Sequence, residues 1–490
     1  MKKYIIIPVF LLICTVVITV SCSQDFINED PPYTIDSENY FNSEQDYNNA
    51  LVGAYEMLNA TYINVMLGEI ASDNTVSGGE SATDVLGIQQ IDEMTHTSAN
   101  GNLKDVWNWT SAGVQRCNYI LEFKDKTDFP GKNQIIAETR FLRAYFRFEL
   151  VKFFGGIPLK GDKRFELDDE KTIPRSQVSD VYASIESDLL YAIDNLNATA
   201  PQVGRVTKGA AQALLGKTYL YQNKFAQAAT VLEQVILSNS YSLVTNYNTI
   251  FENNNENNSE SVFEIQYTDA QGASFNCLQC SKGNVAVGFN GIRNYSGPFF
   301  DGGYSFNLPT QVSYDAYEVG DNRRDVAILN IVTWAATNSA TYGTGYKHTG
   351  FYNRKYIARQ GDLNIGDQNL TNPNNYRAIR YADVLLMAAE AFTRSGNDVK
   401  GREYLNLVRR RAFGDTNHDI SASGAALTDF ILAERKLELM GEGHRFFDLV
   451  RTNKAATSIT GFVTGKHEIF PIPLEEIQFS NGNWQQNPNY

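Results

Sequence analysis

Basic charge is what this chain has too little of. Its 490 residues carry 42 Lys and Arg against 56 Asp and Glu, a formal net charge of −14. A nucleic-acid binder needs a basic stripe, and none is present. The same balance disfavours attachment by charge to anionic lipid headgroups. Cysteine is also scarce, with five in all. Cys14 lies in the N-terminal apolar run and Cys22 directly after it. Cys117 stands alone in a helical pattern and reads as a small packed hydrophobe. Cys277 and Cys280 form a lone C-x-x-C with no second ligand pair, which argues against a zinc site. In an oxidising compartment such a pair favours a local disulfide. No apolar run after residue 20 approaches membrane length. Asp73, Glu80 and Asp84 offer oxygens, but no twelve-residue calcium loop surrounds them. No metal and no cofactor are implied.

What is present begins with a leader. Lys2 and Lys3 precede an apolar run from Tyr4 to Val20, followed by Val20-Ser21-Cys22-Ser23. A small residue just before a cysteine reads as a lipoprotein signal, although Thr19 stands where such sites usually carry Leu. The run is near the lower limit for a membrane span. Residues 1–21 are therefore expected to be a signal peptide and Cys22 the lipid anchor. Residues 22–34, polar, acidic and broken by Pro31-Pro32, read as a flexible tether.

Helical periodicity dominates the rest. Ser43 with Asp46 three residues on predicts a capped start, and Tyr47, Leu51, Ala54 and Leu58 follow in register. A helix is predicted over about 134–154, stopped by Gly155-Gly156 and Pro158, and another over 178–196. From Thr207 the segment TKGAAQALLGKTYLYQNKFAQAATVLEQVIL alternates small and large residues across two helices, the tetratricopeptide pattern. Residues 378–412 repeat it. Such pairs stack because neither helix buries its apolar face alone. The fold class is mainly α: a tetratricopeptide-like helical-hairpin scaffold with a loop-rich irregular lobe containing short strands. The expected division is 35–238 helical, 239–375 irregular and ligand-binding, and 376–490 helical. The middle is too long for one loop, and SVFEIQY within it alternates like a strand.

Four ordered blocks carry a family resemblance. They are ETRFLRAYFRFELVKFFGGIPL (138–159), GRVTKGAAQALLGKTYLY (204–221), RYADVLLMAAEAFTRSG (380–396) and ILAERKLELMGEGHRFFDLVRT (431–452), with FPIPLEEI and QQNPNY at the end. With Cys22 they resemble the SusD/RagB family of surface glycan-binding lipoproteins in Bacteroidota. The resemblance implies a non-catalytic protein, lipid-anchored in the outer membrane and facing outward. Its partners would be an oligosaccharide or polysaccharide and a SusC-like TonB-dependent transporter that receives it. Fold does not fix the ligand, and a peptide or other nutrient stays open as cargo.

Two places could carry chemistry. The first is the charged run Glu434, Arg435, Glu438, Glu442, His444, Arg445, Asp448 and Arg451. A glycoside hydrolase would need two convergent carboxylates. The four-residue spacing of Glu434, Glu438 and Glu442 instead predicts a paired helix face. The second is a set of rings and amides suited to sugar, since flat rings cover C–H faces and polar side chains meet hydroxyls. Asp73 and Asn74 open an Asn/Ser/Gly-rich loop expected to stay out of the core. Trp107, Asn108 and Trp109 follow, with one Trp expected to face ligand. Tyr295, Phe299, Tyr304, Arg324, Trp334, Tyr342 and Tyr346 lie in a Gly-rich stretch that favours exposed rings, Trp334 foremost. DNRRD (321–325) resembles a family turn whose arginines have a structural role. A purely protein-binding repeat module would have more repeats in place of residues 239–375.

Overall fold

The computed structural model describes residues 39–270, 274–362 and 370–490. Cys22, the expected signal and the expected tether lie outside them. No helix among the described residues is long and apolar enough to cross a membrane.

Helix α1 (Glu44–Glu56) starts as predicted: the Ser43 hydroxyl accepts from the Asp46 N–H, and the Asp46 carboxylate accepts from the Ser43 N–H. α2 (Thr61–Ile70) leads into strand β1 (Thr75–Ser77), and α3 (Leu86–Asp92) follows. α4 (Gly101–Glu122) is capped by Asn100. α5 (Lys132–Phe154) is buried almost all round and ends at Gly155, φ +73°, where an L side chain is strained. Its two buried cations are neutralised in place, Arg143 forking onto Asp188 at 2.7 Å through both Nε and Nη2 and Arg147 reaching the same carboxylate at 3.2 Å. α6 (Val178–Asn195) packs along α5.

The predicted hairpin is α7 (Lys208–Tyr221) and α8 (Phe225–Leu237), with Thr207 as the cap. After strand β2 (Ser261–Ile265) the chain makes only short elements until strand β8 (Tyr376–Arg380). A second hairpin follows, α9 (Tyr381–Arg394) and α10 (Asp398–Phe413), and α9 packs on α8. α11 (Gly424–Glu438) and α12 (Arg445–Arg451) complete the scaffold, and a last short helix, α13, spans Leu474–Phe479. Gly443, φ +79°, lets α12 approach α2, because a Cβ there would meet the Val65 carbonyl oxygen at 2.6 Å.

Among the described residues the strands form four pairs. β2 and β8 are antiparallel and close the lobe back onto the scaffold. β1 pairs antiparallel with β5 (Asn307–Pro309), Thr75 opposite Pro309. β3 (Ile292–Arg293) and β4 (Gly302–Gly303) are parallel, and β6 (Ile328–Asn330) pairs antiparallel with β7 (Phe351–Asn353). The lobe has its own small core of Ile292, Phe300, Leu308, Leu329, Ile331, Tyr352 and Ile357, separate from the main core. The expected loop after Asp73 is corrected here: Asn74, Thr75 and Ser77 are buried. β-pairing satisfies their backbone groups, so a polar stretch can lie inside.

Candidate functional site

The charged run belongs to the interior. Arg380 donates to Glu260 at 2.6 Å, to Glu438 at 2.9 Å and to Glu442 at 2.8 Å. Arg411 reaches Glu438 at 2.6 Å, Arg323 reaches Glu434 at 2.6 Å, and Lys355 reaches Glu442 at 2.6 Å. Burial alone would raise the Glu438 carboxyl; Arg411, Arg380 and Arg323 outweigh it and hold it well below the usual carboxylate range. α11 ends at Glu438, so Glu442 joins the cluster from the following turn rather than from the same helix face. Arg435 joins Asp383 and Asp448, and Arg445 joins Asp73. His444 accepts from Lys217 at 3.2 Å through Nδ1; burial first, then Lys217, pushes it down to about 3. Closed ion pairs of this kind hold elements together and leave no carboxylate to meet a substrate.

The lobe's small core instead has an aromatic rim. Tyr295, Trp334 and Tyr342 sit half-buried on it. Trp334 projects from the helix Ile331–Asn338, which Asn330 caps by accepting from the Thr333 N–H. Its indole N–H donates to the Tyr295 hydroxyl at 2.9 Å, and that hydroxyl donates to the Pro298 carbonyl at 2.7 Å. The two rings are thus fixed relative to each other, each half-buried. Phe299 stands outside, 43% exposed at φ +72°, its centroid 6.2 Å from Trp334. Phe300 lies beneath, 5.0 Å from Trp334, and the Arg359 guanidinium covers both phenylalanines at about 5.5 Å. Exposed Asn294 and Ser296 supply polar groups along the same turn.

The neighbouring loop is tied to this rim. Gly78 and Gly79 donate to the Phe306 and Ser305 carbonyls, and Tyr346 donates its N–H to the Gly79 carbonyl at 2.9 Å. Lys347 crosses to Asp92 at 2.8 Å. Tyr346 therefore joins the loop to the lobe. The glycines act by close approach as much as by exposing rings: a Cβ on Gly303 would lie 2.5 Å from the Gly291 Cα.

Other predicted residues fall elsewhere. Trp107 is buried on α4, edge-on to Phe154 and tilted against Trp484, a correction forced by its place on the inward helix face. Asn74 is buried and donates to Glu69 at 2.7 Å. Asp73 is held by Arg445 at 2.7 Å and Lys436 at 3.0 Å. Trp107 and Asn74 are corrected from exposed sugar contacts to packed positions, and Asp73 is engaged in ion pairs. Trp109 is half-buried against the main core and Asn108 is exposed, both on α4 outside the lobe. Tyr304 packs between Phe275 and Phe289, 5.6 and 6.1 Å away. Arg324 pairs with Asp325 and covers Tyr314 in a third cluster with Phe351. Phe300, expected with Phe299 among the glycines to be an exposed ring, is instead buried, and Arg359 was missed. Cys277 and Cys280 are disulfide-bonded, and Cys117 is buried and free.

The architecture and the rim define a helical-repeat scaffold carrying a small lobe with an aromatic face. The chain matches the profile described as "SusD family" over residues 284–490 and the one described as "Starch-binding associating with outer membrane" over 25–220. A solved structure titled a laminarin binding SusD-like protein is 33% identical, covers 92% of this chain and 100% of its own, and superposes with a TM-score of 0.84. Surface glycan-binding protein A from Bacteroides thetaiotaomicron, solved with laminarihexaose, is 28% identical with a TM-score of 0.81, covering 91% of this chain and 100% of its own. SusD-like protein P25 of Formosa agariphila is 26% identical over 94% of each chain. This chain belongs to the SusD family.

Proposed function

We propose that this protein captures an oligosaccharide on the face made by Trp334, Tyr295, Phe299 and Tyr342, without catalysis, and passes it to a SusC-like TonB-dependent transporter in the outer membrane. The observation that carries this reading is the rim: Trp334 and Tyr295, held by hydrogen bonds and half-buried, offer apolar ring surface with little ordering cost on binding. The membrane side rests on the leader and on Cys22 as lipid anchor. Two structural neighbours are a laminarin binding protein and a glycan-binding protein in complex with laminarihexaose, which makes laminarihexaose the first ligand to try.

A hydrolase reading has one foothold. Asp301 directly follows Phe300, its charge reaches Asp362, and burial raises both carboxyls. The deciding experiment incubates the purified protein with laminarihexaose and a polysaccharide panel. Retention without new reducing ends supports capture. New reducing ends that vanish in Asp301→Asn indicate hydrolysis. No retention on any saccharide overturns the sugar reading and favours peptide cargo. Co-purification with the transporter, lost in Cys22→Ser cells, tests the membrane arrangement.

A further inference from the structure

A second concavity lies on the scaffold and shares no residue with the aromatic rim. It is a cavity of about 490 Å³ between α4, the segment 157–170 and the C-terminal α13. Trp107, Val114, Leu150, Phe165 and Trp484 are among its apolar walls. Leu167, 92% exposed, and Phe479, 61% exposed, stand at its mouth. The volume and lining are those of a side-chain or small-ligand pocket, and large apolar groups left in water at a rim point to an interaction surface.

Several polar groups of the walls are already used. Trp484 donates its indole N–H to the Ile173 carbonyl at 2.9 Å, and Gln115 exchanges two hydrogen bonds of 2.8 Å with the Phe165 backbone. Trp107 donates to Glu476. The charged residues lining the cavity are all acidic: Glu166, Glu170 and Glu476. Lys160 pairs with Glu166 and Asp169, and Lys104 pairs with Glu475. Burial raises the Glu476 carboxyl, and Glu475 and Glu170 add repulsion. An apolar pocket with an acidic lip fits an apolar group that carries a cation beside it.

Charge selects among occupants. A second copy of this chain brings a net −14. Residues 22–38 carry Asp25, Glu29, Asp30, Asp36 and Glu38 and no basic residue, so this chain's own N-terminal segment is a poor match. An oligosaccharide would find few unengaged donors. We propose that the cavity is a docking site for a loop of a partner protein in which a bulky apolar side chain is flanked by Lys or Arg.

The test uses the full-length protein in detergent and two capped peptides, acetyl-Gly-Phe-Leu-Lys-Lys-Gly-amide and acetyl-Gly-Phe-Leu-Glu-Glu-Gly-amide, read by calorimetry and by Trp fluorescence. The basic peptide should bind at least about tenfold more tightly than the acidic one, an advantage that shrinks in high salt. Val114→Trp should fill the cavity and abolish binding. Glu476→Gln, which keeps an oxygen for Trp107, combined with Glu170→Gln should weaken binding about fivefold without unfolding. Laminarihexaose should not compete. Equal binding of both peptides, binding of neither, unchanged binding in the Glu variants, or displacement by laminarihexaose overturns the proposal.

Discussion

The C-terminal charge cluster and the lobe's aromatic rim drew notice for the same reason, a dense set of groups able to do chemistry. They differ in what those groups already touch. Around Arg380 and Glu438, each charge has buried partners of opposite sign. Around Trp334 the edge of the ring is engaged through its N–H, while the residue keeps part of its surface in water. Burial with full satisfaction marks a structural device. Orientation with a face left over marks a surface that can receive a ligand.

That contrast can be broken at either end. Arg380→Ala removes one partner from a closed cluster and should cost about 3–5 kcal/mol of stability, because the carboxylates of Glu438 and Glu442 are left buried without it; urea denaturation measures this. Unchanged stability would mean the cluster does not hold these elements together. The next largest effect is acid sensitivity. His444 and His96 are buried and held at about 3, below the unfolded value near 6.5. A lowered histidine contributes fully above the unfolded pKa, and that contribution falls as pH drops towards the folded one. Each should cost about 1.4 kcal/mol per pH unit below 6.5, about 2 kcal/mol by pH 5. The depressed carboxylates add their loss further down, beginning as pH falls through the ordinary carboxylate range and continuing towards their lowered values. Stability measured at pH 7 and pH 5 should show this slope, and His444→Asn should make it shallower; the same slope in the variant removes His444 from the account.

On the rim, Trp334→Ala should weaken retention on the bound saccharide by about tenfold, or about 1.4 kcal/mol, with the melting temperature nearly unchanged. A melting shift as large as that of Arg380→Ala would turn the rim into another structural cluster. Phe299→Ala, at the exposed edge, should cost only about two- to threefold, less than about 0.7 kcal/mol. Affinity electrophoresis resolves both, and an equal loss in the two variants would place Phe299 at the centre of the face.

Most of the scaffold was legible because its causes are local. Ser43 with Asp46, Thr207, and Gly155 before Pro158 mark helix ends through bonds made within one turn. The small–large alternation of 207–237 announced a hairpin for the same reason. The pairing of Glu434 and Glu438 was readable as to role, but their partners Arg323 and Arg380 lie far away in sequence. The burial of Asn74 and Ser77 was hidden because the strand that covers them begins at Asn307. Trp107 and Trp109 look alike in sequence; only the packing of α4 against Phe154 and Trp484 separates them. Trp334, Tyr295 and Tyr342 were recognisable as rings among glycines, yet their shared small core required tertiary pairing of β6 with β7.

The pairing of β1 with β5 has a consequence for synthesis. Thr75 leaves the ribosome more than two hundred residues before Pro309, so the early strand cannot complete its ladder while the hairpins behind it are already able to stack. The lobe that carries the aromatic rim is thus the late-maturing part of the molecule. A chain cut short after α8 keeps many helices and never forms the rim.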